Sequence, residues 1–121
     1  MEKTGDCIFC KMITGEIPSP RIYEDEFFIC VRDIRPQAKV HLLVIPKEHI
    51  SSLAAAFPEN ASGKSELMGR LLETSTKVAR QLGLLPSGFR LVINTEKGAG
   101  QTVFHIHVHV LGGELLRGTF A

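Results

Sequence analysis

The chain has no tryptophan, one tyrosine and three cysteines among its 121 residues. So few cysteines, and an odd number of them, exclude the disulfide-stapled scaffold of a small secreted protein. No sign of charge dominates either: 14 lysines and arginines face 13 aspartates and glutamates, for a formal net charge of +1. That balance argues against a nucleic-acid-coating protein and against a membrane-surface protein. No run of 18 apolar residues occurs, so no membrane span is expected. The opening MEKTGDCIFC also lacks the apolar stretch of a secretion signal. Repeats, low-complexity tracts and linkers are missing too, so residues 1–121 read as a single cytoplasmic domain, long enough for a core of its own.

What is present is punctuated clearly. Cys7 to Thr14 reads as a short helix stopped by Gly15, and EIPSP forces an extended connection. Arg21 to Glu24 and Phe27 to Arg32 read as two strands around the acidic turn Asp25-Glu26. VHLLVI, residues 40 to 45, predicts a strand buried on both sides. Ser51 or Ser52 is placed to cap a short turn through Leu53 to Phe57. From Lys64 to Leu82, the residues Leu67, Leu71, Leu72, Ser75, Val78, Ala79 and Leu82 recur at helical spacing, and Gly83 closes the helix. Phe89 to Asn94 and Phe104 to Leu111 complete five strands, joined by the glycine-rich loop EKGAGQ. Strands that mostly follow one another as hairpins, with one long and one short helix, predict an α+β fold with a mainly antiparallel sheet.

The segment TVFHIHVHVLGG, residues 102 to 113, carries the chemistry. His105, His107 and His109 stand at alternate positions among bulky apolar residues. On a strand they would share one face, with imidazoles roughly 6.5–7 Å apart along the chain. Three readings are open: structural histidines, a metal site using two or three of them, or the edge of an enzyme site. Imidazole suits the last because it is both a nucleophile and a proton carrier near neutral pH. One ring could attack phosphorus while its neighbour handles the leaving group's proton. The preceding loop fits an anion, since Gly98 and Gly100 allow close backbone approach and Gln101 and Thr102 can donate. Asn94 could reach the same place across the hairpin.

The sequence HIHVHVLGG matches the histidine triad motif at every position, alternating His with apolar residues. Together with IFCKMITGEIPSPRIYEDE, DIRPQAKVHLLVIPKEHI and GFRLVINTEKGAGQTV, it makes the chain resemble the Hint-like branch of the histidine triad (HIT) superfamily. The resemblance implies a homodimer with a continuous sheet. It also implies hydrolysis of purine nucleoside 5′-phosphoramidates through a covalent nucleotidyl-histidine intermediate. His107 would be the nucleophile, His109 would contact the phosphate and help protonate the leaving group, and the His105 carbonyl would orient His107. His41 would support the triad from behind. Asn94, Gly100, Gln101 and Thr102 would line the phosphate, Asp33 would hold the ribose, and Ile8, Phe9 and Ile34 would wall the base. Without the resemblance, Asp33 reads as a turn cap and Ile8 and Phe9 as core.

Cys7 and Cys10 have the spacing of half a tetrahedral zinc site. In superfamily members that have this pair, the set is completed by a histidine after the Pro-Lys segment and by the first triad histidine. Here those are His49 and His105, which implies a bacterial-type member with a structural zinc and no redox cofactor. The bland alternative is two reduced structural thiols; Cys30 reads as core. One departure stands out. Animal-type members continue past Gly-Gly into a tryptophan-containing tail, whereas this chain ends ELLRGTFA. Alternatives are a dinucleoside polyphosphate hydrolase, whose branch follows the triad with Pro-Arg instead of Leu-Gly-Gly, and a zinc-stabilised nucleotide-binding module that acts through partners.

Overall fold

The structure, a computed structural model, describes residues 4–118. In chain order it contains α1 (Ile8–Thr14), β1 (Tyr23–Glu24), β2 (Phe28–Arg32), β3 (Val40–Pro46), α2 (Leu53–Ala56), α3 (Ser65–Gln81), β4 (Phe89–Val92) and β5 (Val108–Gly112). Short 3-10 turns cover Thr4–Asp6 and Lys97–Ala99. The strands form one sheet in the order β1-β2-β3-β5-β4, and every neighbouring pair is antiparallel.

β3 lies at the centre because VHLLVI offers apolar side chains to both faces, and all but its first residue are buried. Its alternation sorts the core into two layers. Leu42 and Val44 join Phe28, Cys30, Val108 and Val110 against Met68, Leu71 and Val78 of α3. Leu43 and Ile45 join Ile29 and Val31 against Cys7 and Phe9 on the other face. Burying one such Val or Leu contributes about 1.5–3 kcal/mol.

The caps follow from residue chemistry. Cys7 stands at the N-cap of α1, where its Sγ accepts the Cys10 N–H at 3.3 Å. Gly15 ends the helix with φ 85°, a conformation that costs glycine nothing. Ser52, not Ser51, caps α2 by accepting the Ala55 N–H at 3.2 Å. The buried stripe of α3 runs through Met68, Leu71, Ser75 and Val78. Leu72 and Leu82, expected in that stripe, are 49% and 37% exposed. The stripe is narrower than the count of leucines suggested.

One expectation fails in a way that matters. Instead of a strand from Phe104 to Leu111 carrying all three histidines, β5 begins only at Val108. The ladder with β3 ends at the pair Val44↔Val108. Shortly beyond it stands Pro46, which has no N–H to offer a partner strand. Its carbonyl accepts the His105 imidazole at 2.7 Å, and the Ile106 N–H bonds to Ile50 O instead. His105 and His107 therefore sit in the bend before the strand, and only His109 lies on it.

Candidate active site and metal-ligating cluster

The bend sends three histidines to three environments. His105 is fully buried, and its Nδ1 meets Cys7 Sγ at 3.3 Å, Cys10 Sγ at 3.5 Å and His49 Nδ1 at 3.1 Å. His49 in turn reaches Cys10 Sγ at 3.3 Å. These four ligand atoms all lie within 4.8 Å of one another. Because His105 Nε2–H donates to the Pro46 carbonyl, the lone pair of this neutral ring is left on Nδ1, facing the thiols. Burial pushes the His105 imidazole down to about 4, with His49 and His107 adding repulsion, so it is neutral at pH 7.

His107 lies between two clusters. Its Nδ1–H donates to the His105 carbonyl at 2.8 Å, which places the lone pair on Nε2. The Phe9 ring sits edge-on to both His105 and His107, with centroids 5.9 Å and 5.0 Å away. Burial lowers the pKa of His107, against opposing pulls from the His105 carbonyl and Asp33.

The third environment contains His109, His41 and Asp33. The His107 and His109 centroids are 5.1 Å apart. His41 Nε2 lies 2.9 Å from His109 Nδ1, and Asp33 Oδ2 lies 3.3 Å from His41 Nε2 and 3.9 Å from His109 Nδ1. Burial lowers His109 to about 4, helped by His107 and His41 and opposed by Asp33. Asp33 divides its carboxylate: Oδ1 accepts the Arg35 N–H at 2.8 Å as a turn cap, while Oδ2 faces the imidazoles.

The expected phosphate-loop residues divide as well. Gly100 takes φ 95° and is exposed, as is Thr102, while Asn94 is half-buried beyond the end of β4. Gln101 is buried, and its amide is spent internally. Its Oε1 accepts the Glu96 N–H at 2.7 Å, and its Nε2 donates to Ser51 O at 2.7 Å and Val103 O at 3.1 Å. In this geometry the side chain braces the loop. Ile34 and Ile8 are exposed at 93% and 47%, whereas Phe9 is buried.

Two contributors escaped the sequence. Glu96 has φ 69° and ψ 169°, costly for a residue with a side chain, and its carboxylate accepts the Ser52 hydroxyl at 2.9 Å. Nothing in EKGAGQ marks glutamate for that conformation. The Gln37 main-chain N–H donates to His41 Nδ1 at 2.9 Å. A main-chain donor leaves no mark in residue type.

Comparison with known proteins agrees with this geometry. The HIT domain family model matches residues 14–115. The purine nucleoside phosphoramidase of Escherichia coli K12 is 40% identical over 111 residues, covering 92% of this chain and 90% of that protein. A HIT family hydrolase from Legionella pneumophila has a TM-score of 0.84 at 44% identity, covering 92% of this chain and 96% of its own. A zinc-bound histidine triad family protein from Mycobacterium smegmatis has a TM-score of 0.78 at 38% identity, covering 93% and 78%. With the alternating histidines, the antiparallel sheet and the Cys7–Cys10 pair beside His105 in place, this chain belongs to the HIT domain family.

Proposed function

We propose that the protein hydrolyses the P–N bond of purine nucleoside 5′-phosphoramidates, with His107 as nucleophile. The observation that carries this reading is the 2.8 Å bond from His107 Nδ1–H to the His105 carbonyl. It fixes the tautomer that leaves Nε2 unprotonated, as a nucleophilic imidazole requires. In the first step the Nε2 lone pair forms a bond to phosphorus and the P–N bond to the amine breaks. The departing nitrogen takes a proton delivered from solvent. The developing imidazolium keeps its Nδ1–H on the carbonyl. Water then attacks phosphorus and the P–Nε2 bond breaks; the water's surplus proton returns to solvent, and the nucleoside monophosphate leaves as His107 is restored. The name carried by the E. coli relative supports this substrate class.

The remaining residues supply binding. Asp33 Oδ2 is available to ribose hydroxyls beside His41 and His109, and Gly100, Thr102 and Asn94 would surround the phosphate. Ile8 and Ile34 are exposed apolar side chains that a purine would cover. Gln101 would act through the loop it braces. β4 is an edge strand whose residues are all half-buried, which suits pairing with a second copy as a homodimer.

Cys7, Cys10, His49 and His105 fit zinc by donor type, and the convergence of their ligand atoms supports the fit. Bound there, zinc would cross-link α1, the loop after β3 and the bend before β5, a structural task. The test of the activity is rapid quench with adenosine 5′-phosphoramidate, expected to trap an adenylyl adduct on His107. Wild-type turnover by His107→Ala would sink the assignment. Faster turnover of diadenosine triphosphate than of the phosphoramidate would favour the polyphosphate-hydrolase reading.

A further inference from the structure

The cluster of Asp33, His41 and His109 brings three ligand atoms within 4.8 Å, so by distance alone it is a second candidate for a metal ion. Its proton arrangement argues otherwise. The Gln37 main-chain N–H donates to His41 Nδ1 at 2.9 Å, so in the neutral ring that nitrogen is the acceptor and Nε2 carries the hydrogen. His41 is buried, with 6% exposure, and this bond satisfies its inner nitrogen. The hydrogen on Nε2 therefore points into the cluster, towards His109 Nδ1 at 2.9 Å and Asp33 Oδ2 at 3.3 Å. His109 Nδ1 must then accept, which puts the hydrogen of its neutral ring on Nε2.

We infer that the Gln37 main-chain N–H is a positioning group for His109: acting through His41, it fixes the tautomers of both rings, so that this cluster presents an Nε2–H hydrogen-bond donor and refuses a metal ion. The inference rests on the hydrolase reading for its purpose, since a hydrogen-bond donor beside His107 would stabilise the charge that develops on the phosphoryl oxygens. A metal-ligating histidine turns its other N–H outward, to a carbonyl or carboxylate. His105 does this, donating to Pro46 O. His41 does the reverse. For His41 Nε2 to coordinate a cation, the ring would have to lose its hydrogen while Nδ1 still faced an N–H donor. Asp33 Oδ2, 3.3 Å from His41 Nε2, is a second acceptor for that hydrogen. The carboxylate is held by its Oδ1 bond to the Arg35 N–H, and the chain is held by Asp33 N–H donating to His41 O at 3.0 Å.

The test is long-range 15N–1H NMR of the histidine-labelled full chain at neutral pH. His41 and His109 are expected as Nε2–H tautomers and His107 as the Nδ1–H tautomer. A protonated Nδ1 on His41 would overturn the inference. Zinc added in excess should leave the His41 and His109 nitrogen resonances in place, and their displacement by zinc would overturn it too. In Gln37→Pro, which lacks the N–H, His41 should populate both tautomers, while Gln37→Ala keeps the wild-type one. With adenosine 5′-phosphoramidate, Gln37→Pro is expected to lose roughly tenfold or more in kcat with KM within about twofold. A Gln37→Pro chain that keeps the wild-type tautomer would overturn the proposal; should that variant not fold, the wild-type spectrum decides alone. These spectra need no substrate. A chain with the stated tautomers but no turnover would leave this inference standing and remove the activity reading.

Discussion

Two clusters flank His107, and they differ less in residue type than in where their hydrogens point. Cys7, Cys10, His49 and His105 gather on one side; Asp33, His41 and His109 gather on the other. In the first, the His105 hydrogen is turned outward to Pro46 O, and its Nδ1 lone pair faces Cys7, Cys10 and His49. In the second, the Gln37 N–H occupies His41 from outside, and a hydrogen is driven inward. Proximity of ligand atoms alone ranks the two alike. Main-chain donors and acceptors behind the rings separate them: the first turns a His105 lone pair toward the thiols, and the second turns a hydrogen toward His109.

The most severe way to break the comparison is to remove the residue between the clusters. His107→Ala is expected to lower kcat/KM for adenosine 5′-phosphoramidate by about 10³-fold or more, while AMP affinity by calorimetry changes little. Next comes the proposed zinc cross-link. Chelation, or Cys10→Ser, should lower the melting temperature by on the order of 10 °C, because losing a ligand held well above its Kd removes several kcal/mol. Thermal melts with zinc added back should restore the wild-type chain and not the variant. No fall in either case would mean that the thiols are only structural.

His41→Ala should act on the other cluster alone. It leaves the Gln37 N–H without its partner, at a cost of about 1–3 kcal/mol in a urea melt, with zinc content unchanged. The smallest effect is expected from pH. His109 has a folded pKa of about 4, below its unfolded value, so below about 6.5 the unfolded chain takes a proton that the folded chain refuses. Stability should fall as pH falls from about 6.5 through 4. In urea melts the slope should be shallower in His109→Asn than in wild type, and equal slopes would exclude His109 as its source.

Much of the fold was legible because its signals are local. The VHLLVI run specified a strand buried on both faces, and Gly15 and Gly83 marked helix ends where φ becomes positive. The α3 stripe was legible in outline, but Leu72 faces outward because helical spacing marks a face more narrowly than it marks each leucine. Strand boundaries were less legible. Alternation in FHIHVHV favours a strand throughout, yet β5 starts at Val108 because its partner strand runs out at a proline. That limit lies on β3, far away in sequence.

The candidate site shows the same division. The residue types of both clusters can be read from the sequence, and so can the Cys-x-x-Cys spacing, because metal and phosphate chemistry restrict which side chains can serve. The sequence by itself determined the inventory: three alternating histidines, two spaced thiols, an acid after β2 and a glycine-rich loop. Only the tertiary structure decided how that inventory was divided. It turned Gln101 into a brace, set Glu96 at a positive φ, and gave His105 and His109 to opposite clusters. The physical reason is that an imidazole's role depends on which nitrogen holds its hydrogen. That choice is made by Pro46 O, His105 O and Gln37 N–H, main-chain groups that every sequence has and only a fold can aim.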